Sequence, residues 1–433
     1  MILLYAEIIS NRLQYIADFI GKKLSGEEIR VTSDREAFSQ FQGIKINYSN
    51  EKISMPEFWL QPQALLFEKN IRVQPLRTGE WKGQKIFFQT GGDFPFDIFA
   101  AAFYLLSRYE EYLPHEKDEF GRYAPVNALA FRENFLQLPL VDIWINFFKA
   151  ALAEKFPAYT FYPSRFTFLP TYDIDEAFAY RHKGLLRTAG GLAKQLLQGK
   201  FHAARNRILV LNNKVKDPYD SFDWMNDLHE AHILHPVFFF HVAKRNGKYD
   251  KNILPSCPAM QKLIRQYAEK CTVGIHPSWQ SGDDDRLLKA EIETLENITG
   301  KKIKFSRQHY IRFNLPSAFR KLIEAGITDD YSMGYGSING FRASVASSFY
   351  WYDLEKEEKT HLALHPFCFM DANSFFEQKY LPQQALEEMR HYYNVIRSVN
   401  GQMITIWHNT FFGWEKMFVG WKDVYEQFIK EMT

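Results

Sequence analysis

Cysteine is scarce in this chain: Cys257, Cys271 and Cys368 are the three in 433 residues. An odd number without metal-type spacing suggests neither a disulfide framework nor a zinc knuckle. No apolar run approaches the ~18 residues of a membrane span. The first twenty residues carry Glu7, Arg12 and Asp18 inside their apolar pattern, which argues against a signal peptide there. An excess of one charge is missing too. With 53 basic and 51 acidic residues the net charge is +2, which gives no overall field for nucleic acid or an anionic membrane. Internal repeats and low-complexity segments are absent. These absences together lead us to expect a cytoplasmic globular protein, with no membrane insertion and no nucleic-acid partner.

What is present is an ordinary globular composition, 46% hydrophobic and 24% charged, with a high aromatic share of 16%. Aromatic rings fill large cores first, and they also line sugar-binding clefts, where flat faces stack on pyranose C–H groups. A chain of this length exceeds the usual single core, so two domains are expected, 1–162 and 163–433. The first reads as a smaller α/β domain without recognisable chemistry. Its strand candidates are 29–32, 43–48 and 85–89. Its helices are 96–113, with Phe96, Phe99, Phe103 and Leu106 on one face, and 140–156, with Val141, Trp144, Ile145 and Phe148 repeating likewise.

From residue 165 strands and helices alternate. Strands are expected at 165–172, 235–242, 271–276, 303–310, 326–331, 348–354, 362–369 and 403–408. Helices are expected at 221–233, 257–270, 284–299, 316–325 and 382–399, with Gly300 and Gly401 as stops. Seven or eight such units predict a parallel, distorted βα barrel. An open doubly wound sheet is the alternative.

The most informative segment is Phe168-Leu169-Pro170-Thr171-Tyr172-Asp173-Ile174-Asp175. An apolar strand there ends in two carboxylates two residues apart, and on a strand that spacing puts both on one face. Like charges this close need a cation or a shared proton. Later strand candidates end the same way: His276 after Gly274-Ile275, then Arg307 to Tyr310, Asp329-Asp330, and Trp407-His408. A barrel gathers strand ends onto one rim, so these groups are predicted to share a site.

The carboxyl-terminal ~270 residues resemble the polysaccharide deacetylases, the NodB homology domain of carbohydrate esterase family 4. Five segments carry the resemblance: Thr171-Tyr172-Asp173-Ile174-Asp175; His276-Pro277-Ser278-Trp279-Gln280; Arg307-Gln308-His309-Tyr310; Asp329-Asp330-Tyr331-Ser332; and Ile404-Thr405-Ile406-Trp407-His408. Two positions depart from the pattern. Gln280 stands where the family has a second metal histidine, and His309 where it has a proline.

The resemblance implies a divalent metal, Zn2+ by preference, held by Asp175 and His276; because of the two departures the third place is open to His309, Gln280 or a water, or the metal is weak or absent. It implies Asp173 as base, His408 as acid, Arg307 orienting Asp173, and Asp330 supporting His408. Tyr310, Trp279 and Trp407 are candidates for contact with an acetylated carbohydrate. The implied activity is removal of acetyl groups by metal-activated water. Two alternatives stand beside it. One is a catalytically silent barrel that binds a glycan or a protein, suggested by Gln280. The other is a glycosyltransferase reading of Asp173-Ile174-Asp175, which lacks a glycine-rich nucleotide-binding turn before the acids.

Overall fold

The computed structural model describes residues 1–432. The chain opens with a parallel four-stranded sheet of β1 (Ile2–Tyr5), β2 (Arg30–Thr32), β3 (Ile44–Tyr48) and β4 (Phe58–Leu60), in the order β2-β1-β3-β4. The helix Asn11–Ser25 is the first crossover. Ser10 caps it by accepting the Leu13 N–H, and Gly26 ends it in the left-handed conformation. The ribbon β5 (Gly79–Trp81) and β6 (Gln84–Ile86) is antiparallel, in place of the single strand expected at 85–89. The helix expected at 96–113 spans Ile98–Leu106 only, because Arg108 takes a left-handed backbone and the chain tightens into a 3-10 turn. The helix Leu140–Lys155 matches its apolar repeat.

The second sheet has nine strands: β7 (Thr167–Ile174), β8 (Val237–Phe240), β9 (Thr272–Ile275), β10 (Phe305–Ser306), β11 (Asp329–Asp330), β12 (Phe349–Asp353), β13 (Glu358–Leu364), β14 (Phe369–Met370) and β15 (Gln402–His408). Their order is β12-β13-β11-β10-β9-β8-β7-β15-β14, parallel throughout except for β12 against β13. Eight of the nine thus follow one another as they would around a barrel. Among the described residues β13 and β14 do not pair, so hydrogen bonds do not close the ring. The segment expected as one strand at 362–369 is two, β13 and β14, on opposite edges of that seam.

The local chemistry explains much of the sheet. β8 is Val237-Phe238-Phe239-Phe240, buried on both faces, as a parallel central strand requires. Pro170 sits inside central β7, where a missing N–H should be costly. However, β8 begins to pair only at Thr171, so no neighbouring carbonyl on that side waits for the proline. The sheet is strongly curled. Arg307, just past β10, donates to Asp173 on β7 at 2.9 Å, with β8 and β9 between them. Three flat inter-strand steps would span about 14 Å, beyond an arginine's reach.

One continuous apolar core runs from Ile2 through both sheets to Ile429. Across it lies a buried ionic cluster. Glu111 accepts from Arg342 at 2.8 and 2.6 Å and from Arg108 at 2.8 Å, all three side chains being at most 2% exposed. Burial pushes the Glu111 carboxyl up, but the two guanidinium charges outweigh it and hold it down at about 2. Glu111→Gln is expected to cost about 3–5 kcal/mol, since it strands buried cations. The depressed value means that this stabilisation is present above the ordinary value of 4.5 and is lost as pH falls towards 2. The gap between wild type and Glu111→Gln in urea unfolding should therefore narrow in acid. A constant gap would refute the charge pairing.

Candidate metal centre and active-site cleft

Alternation along β7 turns Tyr172 and Ile174 into the core and Asp173 and Asp175 towards the mouth of the curled sheet. Tyr172 is fixed by hydrogen bonds of 2.6 Å to His229 Nε2 and to the Tyr425 hydroxyl. Asp173 is 2% exposed, with Arg307 Nη1 on its Oδ1. Arg307 is itself locked, donating Nε to the Tyr331 carbonyl at 3.0 Å with its guanidinium over the Phe239 ring at 4.4 Å.

Three imidazoles meet the Asp175 carboxylate. His276 Nε2 lies 3.1 Å from Oδ1, His309 Nε2 3.4 Å from Oδ2, and His408 Nε2 3.6 Å from Oδ2. In each ring the other nitrogen is already committed. His276 Nδ1 sits 2.7 Å from the Arg307 carbonyl, His309 Nδ1 3.2 Å from Asp250 Oδ1, and His408 Nδ1 2.6 Å from Asp371 Oδ1. These partners only accept, so each Nδ1 carries the proton and each neutral ring turns a lone pair on Nε2 towards a carboxylate. Such an array holds together only around a cation or added protons. In the bare protein, protons take that place. Burial lowers His309, but Asp175 and then Asp250 raise it to about 9. Burial likewise lowers His408, while Asp371 and then Asp175 raise it to about 10. Burial would raise Asp175, yet the charge of His309 and the hydrogen bond of His276 hold it well below the usual carboxylate range.

The ligating atoms of Asp175, His276 and His309 lie within 4.8 Å of one another. Two imidazoles and a carboxylate are a donor set that suits a zinc-type divalent ion, and carboxylate or carbonyl partners behind the ligands orient them as metal sites require. The residues therefore fit the group. Gln280, the other candidate for third ligand, is solvent-exposed in the turn Gln280–Gly282, whereas His309 is buried beside Asp175.

Two other expectations require correction. Asp330 does not touch His408. Its carboxylate accepts from the Ser306 hydroxyl at 2.6 Å and from the Ser332 N–H at 2.9 Å, fully buried between β10 and the chain after β11. The partner of His408 is Asp371, which also accepts the His408 N–H at 2.7 Å. β14 pairs with β15, Met370 opposite Ile406, so the residue after β14 arrives beside the end of β15. Phe369-Met370-Asp371 carries the same signal as the end of β7, an apolar strand ending in an acid. Trp407 is fully buried, packed on Phe412 and Tyr425, and faces away from the cleft. Trp279 stands behind the cleft wall, its ring stacked on Tyr249 at 4.1 Å and carrying the Arg312 guanidinium at 4.4 Å.

Tyr310 lines the cleft, a space of about 490 Å3 bounded on one side by Asp173, Asp175, His276, His309 and His408. Its apolar lining includes Met370, Phe376, Phe411 and Met417. Phe120 and Arg122 also reach it. Arg122 donates to the carbonyls of Tyr310 and Gly336 at 2.8 and 3.0 Å, and the Phe120 ring lies 5.4 Å from that of Tyr310. Asp250 and His241 are further residues that the sequence reading did not single out. Asp250 fixes His309 and accepts the Trp279 N–H at 2.9 Å. His241 follows the apolar β8 directly, a strand-end histidine of the kind found at His276. Burial and the nearby charge of His309 push it down to about 3, so it is neutral.

Comparison with known proteins adds the following. A family of unknown function (DUF7033) matches residues 2–157. No curated protein matches the sequence. Among solved structures, a proposed polysaccharide deacetylase from Mycobacterium smegmatis aligns with 14% identity and a TM-score of 0.40, over 62% of this chain and 84% of its own. The PuuE allantoinase aligns with 11% identity and a TM-score of 0.41, over 62% and 84%. A CE4 family pseudoenzyme from Bacillus anthracis aligns with 9% identity and a TM-score of 0.32, over 63% and 62%. With TM-scores below 0.5, the reading of function rests on the geometry of the site itself.

Proposed function

We propose that this protein is a metal-dependent hydrolase that removes acetyl groups from an acetylated carbohydrate. One observation carries the reading: three imidazole Nε2 atoms, each ring held by a partner on its other nitrogen, converge on one carboxylate at 3.1 to 3.6 Å. Asp175, His276 and His309 would hold the ion. A bound divalent cation supplies Lewis acidity towards the acyl carbonyl and lowers the pKa of water.

The chain's own groups divide the remaining work. Asp173 is not needed as a ligand, since Arg307 already occupies its Oδ1, and its Oδ2 lies 3.9 Å from His276 Nε2. That oxygen is placed to take a proton from an attacking water. His408, its Nδ1 proton fixed by Asp371, presents Nε2 to the cleft and would deliver a proton to the departing oxygen or nitrogen. The partly exposed Tyr310 ring offers a face to a sugar. His309 would supply the third ligand in place of Gln280, which favours the hydrolase reading over a silent barrel. The glycosyltransferase reading would leave the imidazoles around Asp175 without a task.

Elemental analysis of the purified protein should find one divalent ion per chain. His276→Ala and His309→Ala should each lower that content, and Asp175→Asn should abolish it. Gln280→His should leave metal affinity unchanged. Asp173→Asn should retain the ion while turnover of acetylated sugars falls about 10²–10⁴-fold, the usual weight of a general base. Asp371→Asn should retain the ion and lower turnover by weakening the hold on the His408 proton. A wild-type protein that takes up no divalent ion, or an Asp173→Asn variant with full activity, would sink the reading.

A further inference from the structure

Glu176 and Tyr219 both line the cleft, and between them the chain leaves the sheet as two helices, Leu185–Leu197 and Phe201–Leu211. The composition of this excursion differs from the rest. Residues 177–216 contain nine lysines and arginines and no aspartate or glutamate, within a chain whose net charge is only +2. The balanced total hides this local field.

The base of the excursion is firmly held. Buried Asp217 accepts the N–H groups of Ala179, Tyr180 and Arg181 at 2.7, 2.9 and 3.0 Å. Arg187 donates to the Asn252 and Lys251 carbonyls, both at 3.1 Å. The two helices meet through Arg207, which donates to Gln195 at 2.9 Å and lies against Gly191, where an added Cβ would fall 2.8 Å from the guanidinium. The first helix therefore turns Thr188, Gly191, Leu192 and Gln195 inward and has no buried residue. Its outward stripe, at helical spacing, is Leu186, Ala189, Ala193 and Leu197. Leu186 is 91% exposed, Leu185 and Leu197 are 89%, and Phe201 just beyond is 68%. Lys194, Lys200, Arg205 and Lys214 are exposed around this stripe and form no ion pair among the described residues.

A helix that keeps four of its five leucines in water while packing through Thr188, Leu192 and Gln195 is inverted relative to an ordinary surface helix. Its complement must be apolar at depth and anionic at its surface. A second copy would bring the same unpaired cations, Lys194, Lys200, Arg205 and Lys214, to the contact. A nucleic acid would answer the charge and leave the leucines wet. A bilayer carrying anionic headgroups answers both. We propose that the 177–216 hairpin is an interfacial anchor that seats this protein on an anionic membrane surface, with the rim of the cleft beside the bilayer. This goes beyond the hydrolase reading and does not depend on it.

Co-sedimentation of the full chain with vesicles tests the proposal. Binding to phosphatidylcholine vesicles containing phosphatidylglycerol is expected to exceed binding to phosphatidylcholine alone by about tenfold or more, and to weaken as salt rises. Combining Leu186→Ser, Leu197→Ser and Phe201→Ser should reduce it about tenfold, since each change removes apolar area from the bilayer. Lys194→Glu with Lys200→Glu should reduce it separately and flatten the salt dependence. Circular dichroism of both variants should match wild type, because the altered side chains lie in solvent. Four results would overturn the proposal: no vesicle binding, equal binding to neutral vesicles, tight duplex-DNA binding in its place, or a dimer dispersed by the serine substitutions without vesicle binding.

Discussion

The arrangement depends on a conflict of lone pairs. A carboxylate faced by three imidazole nitrogens, with no donor among them, is repulsive unless positive charge enters, and no local rearrangement relieves it because each ring is pinned from behind. The pins come from different places: a backbone carbonyl at Arg307, a loop carboxylate at Asp250 and a strand-end carboxylate at Asp371. In the bare protein protons supply that charge, raising His309 and His408 and lowering Asp175. Elsewhere this fold buries charges in matched ion pairs, as at Glu111, and imidazoles with shifted titration clustered around one carboxylate make a candidate ligand site.

The curl of the large sheet is what allows that convergence. Aligned in a flat sheet, the ends of β7, β9, β10 and β15 would form a row. The barrel-like strand order and the all-apolar β8 bend the row into an arc, and Arg307 bridges it from β10 to Asp173. The seam left open between β13 and β14 is occupied by chain from elsewhere. Gly340 donates to the Cys368 carbonyl at 2.9 Å, and Met370 to Asn339 at 2.9 Å.

The amino-terminal residues are more than a support. Arg122 ties the backbone at Tyr310 and Gly336, and Phe120 completes an aromatic wall with Tyr310 and Tyr249. Arg342 and Glu111 join the same two parts of the chain inside the core. Substrate entering from this side would touch side chains from both halves of the sequence. Met370 and Phe411 add apolar surface to the lining of the same cleft.

Much of the site was legible in the chain because strand alternation is a local rule. Asp173 and Asp175 had to share a face, and the apolar run before them had to enter a core. His276 and His408 followed from the same rule applied to later strands, and the principal helices followed from their apolar repeats, with Gly300 the expected stop of one while Asn400, not Gly401, takes the left-handed backbone after Pro382–Ser398. The pairing of those strands is not local. Whether β14 lies beside β15 is decided by the whole sheet, so the partner of His408 is Asp371 and not Asp330. Trp407 points inward because β15 presents that face to the packed core around Phe412 and Tyr425, and whether Gln280 stays exposed is set by the turn it occupies. The position of His309, after a strand two residues long, was likewise set by where the chain leaves β10. Sequence alone thus determined which strand ends carry chemistry. Tertiary structure decided which of them meet, because side-chain periodicity belongs to a single strand and proximity belongs to the sheet.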